Sequence, residues 1–178
     1  MSENKSNIAE VLSENIEIER KFVIVKPNRE LLSQYEYSRI IQTYLCSAPR
    51  VTHRVRSRAF ADKTVYTETK KIRIDKISCI EDEREITFEE YSALLFHADK
   101  TATPISKTRY IIPYEGRIFE VDIYEGWKNT CIMEVELPSR EEEVNTPPFI
   151  KIVREVTGEK AYSNASMSAS FPPELWVE

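Results

Sequence analysis

Asn15-Ile16-Glu17-Ile18-Glu19-Arg20-Lys21-Phe22 alternates apolar and ionised side chains almost without a break. Side chains of a strand point to opposite faces in turn, so Glu17, Glu19 and Lys21 share one face and Ile16, Ile18 and Phe22 the other. Arg20 is the one charged residue on the apolar side. The same period returns along the chain: Arg54 and Arg56, Glu83 and Glu85, Lys107 and Arg109, Glu120 and Asp122, Glu134 and Glu136 each stand two apart. An ordinary half-buried sheet shows mixed polar residues on its wet face. Here that face is nearly all acid and base, largely sorted by sign strand by strand. Such a face suits a site that holds a polyanion with bases and a metal ion with acids.

Working outward, strand-like stretches fall near 15–25, 40–47, 51–58, 64–73, 81–87, 104–113, 117–126 and 130–137, rich in Ile, Val, Tyr, Thr and Phe. Eight strands can close into a barrel and so remove their own edges. Gly116 marks a hairpin between two of them, and Gly126 breaks the next. Helices are fewer. One is expected from Glu30 to Tyr37 after Asn28, and one from Phe88 to His97, where Thr87 and Glu90 have capping-box spacing. A third is expected from Pro148 to Val156, opened by Thr146-Pro147-Pro148 and closed by Gly158. Lys70 to Asp82 reads as a charged loop or irregular hairpin. The predicted class is mainly β (α+β).

The chain has 178 residues, 41% of them hydrophobic and 31% charged, with a net charge of −5. Its length favours one domain, taken as 15–178 behind an N-terminal extension, 1–14. The acidic balance argues against a nucleic-acid partner. No apolar run approaches the roughly 20 residues of a membrane span. Met1 to Val11 lacks the apolar core of a signal peptide, and Cys46, Cys79 and Cys131 have no paired spacing, so a cytoplasmic setting is expected. His53 and His97 are the only imidazoles and read as surface or packing residues. That argues against a His/Cys zinc site and leaves a hard-metal site of carboxylates open.

Glu17 with Glu19, Glu120 with Asp122, and Glu134 with Glu136 each place two carboxylates about 7 Å apart on one strand face. Facing a common interior, these six could hold one or two Mg²⁺ or Mn²⁺ ions. The plainer alternative is a solvated sheet face, on which like charges at i and i+2 gain nothing. Lys21, Arg54, Arg56, Lys70, Lys107 and Arg109 are the bases for a phosphate grip: Arg binds oxygen in a bidentate fork, Lys as a point charge. Arg58 and Lys71 fit ordinary surface ion pairs, and Arg73 a solvated loop.

In this order the residues resemble the CYTH, or triphosphate tunnel metalloenzyme, superfamily. Glu17-Ile18-Glu19-Arg20-Lys21 matches its ExExK signature. Gln42-Thr43-Tyr44-Leu45, His53-Arg54-Val55-Arg56, the Lys70 strand, Glu83-Arg84-Glu85-Ile86, Lys107-Thr108-Arg109-Tyr110, Phe119-Glu120-Val121-Asp122, Met133-Glu134-Val135-Glu136 and Tyr162-Ser163-Asn164 continue the series. The resemblance covers about residues 16–168. It implies an eight-stranded antiparallel β-barrel tunnel with a few flanking helices, binding a triphosphate with Mg²⁺ or Mn²⁺. Carried over residue by residue, it gives Lys21, Arg54, Arg56, Lys70, Lys107 and Arg109 to phosphate. It gives Glu17, Glu19, Asp122, Glu134 and Glu136 to metal, with Glu120 close by, and Glu83 and Glu85 to an acidic wall. Lys21 and Tyr44 match a catalytic pair of short bacterial-type members, and a helix around Tyr162 to Ser168 would border one tunnel end. Departures are the basic residues Lys71, Arg73 and Lys76 after Lys70, Ser163 where close relatives often carry a base, and the extension 1–14.

The expected activity is therefore a metal-dependent triphosphatase acting on inorganic tripolyphosphate or a related organic triphosphate. One ion would orient the triphosphate, and a second ion or the Lys21–Tyr44 pair would activate water, Lys21 with a pKa lowered by neighbouring cations being a reasonable proton acceptor. An adenylate cyclase or thiamine triphosphatase of the same superfamily is the alternative. A non-catalytic polyphosphate- or nucleotide-binding module is a third reading, against which the acid set speaks. A homodimer is compatible with the sequence.

Overall fold

The computed structural model describes residues 16–48, 51–75, 78–139 and 141–175; the extension 1–14 lies outside them. Among these residues nine strands form one antiparallel sheet: β1 (Ile16–Val25), β2 (Glu36–Tyr44), β3 (Val51–Ala59), β4 (Thr64–Arg73), β5 (Ser78–Ile86), β6 (Ile105–Tyr114), β7 (Arg117–Tyr124), β8 (Thr130–Glu136) and β9 (Ile152–Glu155). The order is β5-β4-β3-β2-β6-β7-β8-β1-β9. A ladder of three residue pairs, Ile16↔Ile80, Glu17↔Cys79 and Ile18↔Ser78, also joins β1 to β5 at the far end of that order. The eight expected strands are all present. The Lys70 to Asp82 stretch is mostly the paired ends of β4 and β5, Lys70↔Asp82 to Arg73↔Cys79, with 76–77 outside the described residues. The β6–β7 hairpin turns through Glu115 and Gly116, both at positive φ (46° and 73°), which is where a two-residue turn needs glycine.

Helices are short. α1 (Arg29–Leu32) is capped by the Asn28 carboxamide, which accepts from the Leu31 N–H at 2.7 Å. It stops before Tyr37, because Glu36 and Tyr37 are taken into the ladder with Ile111 and Tyr110 of β6. α2 (Phe88–Leu94) has the full Thr87/Glu90 capping box and runs on as a 3₁₀ turn, Leu95–His97. α3 (Asn164–Ala169) follows a second 3₁₀ turn, Lys160–Tyr162.

The helix expected from Pro148 to Val156 is not formed. Residues 148–149 make a turn and Ile152–Glu155 form β9. Beyond Ile18 the edge of β1 is no longer paired to β5, and β9 covers it instead, with Phe22↔Glu155 and Val23↔Arg154. Unpaired backbone groups outweigh helix punctuation, and the β-branched Ile152 and Val153 suit the strand. Gly158, expected as a helix stop, turns the chain after β9 at φ 71°. The same neighbour explains Arg20: its guanidinium meets Glu155 in a bidentate pair at 2.9 and 2.7 Å.

Three apolar clusters hold the sheet in shape. The outer face of β1, β6, β7 and β8 packs Phe22, Ile24, Ile112, Phe119, Met133 and Val135 against Leu32 of α1 and Ile150. Val55 and Ile86 pack against Tyr91 of α2. On the inner face, Val23, Tyr44, Ile105, Tyr124 and Ile132 meet Trp127, Val156, Tyr162 and Met167. That third cluster seats the C-terminal α3 against the inner face, which leaves the rest of that face to charge. No helix among the described residues is long and apolar enough to cross a membrane.

Candidate active site

The inner face follows from register. Arg54, Arg56 and Arg58 of β3 stand opposite Thr69, Thr67 and Val65 of β4, and Thr69 and Lys71 stand opposite Glu83 and Glu81 of β5. Across β1, β7 and β8, Glu19 pairs with Glu136, Lys21 with Glu134, and Glu120 with Glu134. Paired residues of antiparallel strands share a face. The result is a cavity of about 580 Å³ lined by Glu19, Lys21, Tyr44, Arg54, Arg56, Glu83, Arg109, Glu120, Glu134 and Glu136. A second cavity of about 530 Å³, near the β6–β7 turn, shares Glu19, Glu120, Glu134 and Glu136.

Other expected residues are placed differently. Lys70 is opposite His53 on the outer, exposed face, so it does not reach the cavity. Its neighbour Lys71, read from the sequence as a surface ion pair, lines the cavity instead and meets Glu81 at 2.6 Å. Arg58, given the same surface reading, also lines it, with Nε donating to Ser38 Oγ at 2.8 Å. Lys107 and Asp122 are 3% and 0% exposed, sealed behind the lining. Glu85 keeps the parity of Glu83 but does not line the cavity. The side chain of Glu17 lies outside the described residues, as do those of Arg73 and Cys79.

On one side the lining continues into a buried ion network. Arg109 donates to both oxygens of Asp122 at 2.7 and 2.6 Å, to Glu134 at 2.8 Å, and to Glu120. Lys107 donates to Asp122, and Lys21 meets the other oxygen of Glu134 at 2.6 Å. Burial alone would raise the Glu134 carboxyl, but Lys21 and Arg109 hold it well below the usual range; Arg109 and Lys107 lower that of Asp122 against the same burial. Burial would lower the Lys21 ammonium, yet Glu134 and Glu19 outweigh it and the net shift is upward. This direction is opposite to the lowering expected of Lys21. The depressed lysine is Lys107, which burial and Arg109 push down to about 8.

The basic side is under strain of another kind. Arg54 reaches Glu81 at 3.0 Å, whereas Arg56 approaches Glu83 only at 3.8 Å. The Nε donors of both arginines are buried without a partner. Burial, with Arg54 alongside, pushes the Arg56 guanidinium down to about 10. Unpaired buried donors on crowded cations are what an anion would satisfy. Tyr44, 9% exposed, accepts a hydrogen bond from Gln42 Nε2 at 2.6 Å. Burial raises its hydroxyl pKa against the pull of Arg54, Lys21 and Arg56, so it stays protonated.

The acids divide into two sets. Asp122 and Glu134 are already matched by Lys107, Arg109 and Lys21. Glu136 is not: burial raises its carboxyl, and Glu120 and Glu19 raise it further. Oxygen donors that crowd one another in this way fit a hard divalent cation. Among the described residues no three His, Cys, Asp or Glu side chains already converge into a coordination set.

Sequence reasoning missed Arg58, Lys71 and Glu81. Arg58 simply continues the Arg54–Arg56 period. For the Lys70-Lys71 pair the usable signal was Tyr66, which packs on Tyr91 of α2 with ring centres 4.9 Å apart. It marks its own parity, shared by Lys70, as the outer face.

No family profile matches the chain, and no similar curated protein was found. Solved structures do match. The chain is 27% identical to the inorganic triphosphatase NE1496, covering 88% of this chain and 97% of that one with a TM-score of 0.57. The fold is also shared with PH1819 from Pyrococcus horikoshii (19% identity, 70% of this chain and 80% of that one, TM-score 0.51). A conserved hypothetical protein from Pyrococcus furiosus is a third match (22%, 70% and 80%, 0.53). The likeness to the triphosphatase agrees with the resemblance read from the sequence, and the two Pyrococcus structures share the fold.

Proposed function

We propose that this chain is a triphosphatase that hydrolyses the terminal phosphoanhydride of inorganic tripolyphosphate, or of a related organic triphosphate, within the 580 Å³ cavity. The observation that carries the reading is one cavity holding two unsatisfied sets. Arg54 and Arg56 keep buried Nε donors without a partner, and the Glu136 carboxyl is raised by burial and by Glu120 and Glu19 crowding it. A triphosphate with a divalent ion would complement both.

In this reading Arg54, Arg56, Arg58 and Lys71 grip the non-reacting phosphates, and Lys21 and Arg109 stabilise charge developing on the attacked one. Glu19, Glu120 and Glu136 would hold Mg²⁺ or Mn²⁺, which when bound supplies charge neutralisation and an acidified water. Asp122 and Glu134 act as counter-ions that fix Lys107, Arg109 and Lys21 in place. Tyr44, a protonated hydroxyl among cations, donates a hydrogen bond to phosphate oxygen or to the attacking water. Water adds in line to the terminal phosphorus, the bridging P–O bond breaks, and the proton that water loses passes to a phosphate oxygen or to solvent; tripolyphosphate then leaves as orthophosphate and pyrophosphate.

The test is product analysis. The protein is incubated with tripolyphosphate or ATP and Mg²⁺ or Mn²⁺, and phosphate, pyrophosphate and cyclic AMP are quantified. Orthophosphate from tripolyphosphate is expected. Cyclic AMP as the dominant product would replace hydrolysis with cyclisation, and tight binding without turnover would make the chain a binding module.

A further inference from the structure

Lys21 sits at the one place where β1 changes partner. Its strand is paired to β5 up to Ile18 and to β9 from Phe22 onward, so the backbone of Lys21 faces the gap between them. The gap is filled from the turn after β9. The Lys21 N–H donates to Thr157 Oγ1 at 3.0 Å, and the Lys21 carbonyl accepts from the Val156 N–H at 2.8 Å. The Thr157 hydroxyl in turn donates to Glu155 Oε1 at 2.7 Å. Glu155 is itself fixed by the bidentate pair with Arg20, the residue just before Lys21. The same segment also reaches the side chain: Lys21 Nζ donates to the Tyr162 carbonyl at 3.4 Å.

We propose that Thr157 is a positioning residue for Lys21, the centre of a clasp Arg20–Glu155–Thr157 that sets where the ammonium stands in the cavity. The inference deepens the triphosphatase reading and rests on it. Lys21 is paired to Glu134 of β8 on one edge; on the other, the Thr157 oxygen supplies the acceptor that neither β5 nor β9 provides. Thr157 also forms part of the cavity lining. A small displacement matters because a misplacement of about 1 Å can cost on the order of 100-fold in rate.

The experiment compares Thr157→Val, Thr157→Ser, Lys21→Ala and the double variant Lys21→Ala/Thr157→Val, all checked for wild-type melting behaviour, in steady-state tripolyphosphate hydrolysis. Thr157→Val keeps the shape and removes the acceptor. It should lower kcat by about 10- to 100-fold with KM changed less than about threefold, because Arg54, Arg56 and Arg58 still grip the anion. Thr157→Ser should restore most of the rate. In the Lys21→Ala background Thr157→Val should cost nothing further, since the two act as one unit. Equal activity of wild type and Thr157→Val, or fully additive losses in the double variant, overturns the positioning role while leaving hydrolysis standing. A wild-type protein that fails to hydrolyse tripolyphosphate overturns the triphosphatase reading, and this inference with it.

Discussion

Lys70 and Lys71 differ by one position and therefore by a whole face. The outer lysine is solvated, and the inner one shares Glu81 with Arg54. Lys71→Ala should raise the KM for tripolyphosphate about tenfold or more, as expected for losing a charge-assisted contact of roughly 1.5–3 kcal/mol. Lys70→Ala should stay within about twofold, like other surface changes; the reverse ranking in steady-state kinetics would place β4 in the other register. Lys107 offers a test through pH. An ordinary lysine titrates near 10.5, but buried beside Arg109 this one is pushed down to about 8. Between those values the unfolded chain holds more protons than the folded one, so raising the pH from 8 to 10.5 adds stability through this group, by at most about 1.4 kcal/mol per unit. Lys107→Met should remove that upward contribution in urea titrations at pH 8 and 10, and an unchanged slope would contradict it. At this scale the alternating charges were legible because period two needs nothing but the chain. What was not legible was parity within a double lysine, and the direction of the Lys21 shift. The latter depends on Glu134, which only folding brings to 2.6 Å.

The strands were legible for the same reason, and their ends were not. Helix signals succeeded where they rested on a side chain bonding its own backbone, as at Asn28 and in the Thr87/Glu90 box. They failed at 148–156, where prolines and Gly158 imitate a helix but the open edge of β1 claims the segment. Thr87→Ala removes one arm of the capping box on α2, which covers Val55 and Ile86 through Tyr91. It should cost about 1 kcal/mol in a denaturant titration, with tripolyphosphate turnover per folded molecule unchanged. A loss of turnover would connect α2 to the site by a route this packing does not provide.

For the molecule as a whole, the charge on the inner face is a stored conflict: guanidiniums crowd on β3, carboxylates on β1, β7 and β8. A ligand that satisfies both should stabilise the fold by mass action. At about 100 times its dissociation constant the gain is roughly 2.7 kcal/mol, which for a chain of this size is on the order of 5–10 °C in Tm. Tripolyphosphate with Mg²⁺ should give that shift in calorimetry, and removing the metal with a chelator should lose part of it. An unmoved Tm would mean the cavity takes neither.

Synthesis adds a constraint of time. β1 emerges first, yet most of its ladder is with β8: Glu19 pairs with Glu136, 117 residues later. At about 5–20 residues per second the ribosome needs roughly 6 to 23 s to supply that partner. Through this interval a strand with Phe22, Val23 and Ile24 waits with the edge that β8 will cover open. The ionised residues at every second position carry a second duty during that wait, since charged side chains on an open strand discourage edge-to-edge pairing of two nascent chains. The charges that would hold a ligand in the finished protein guard the unfinished one.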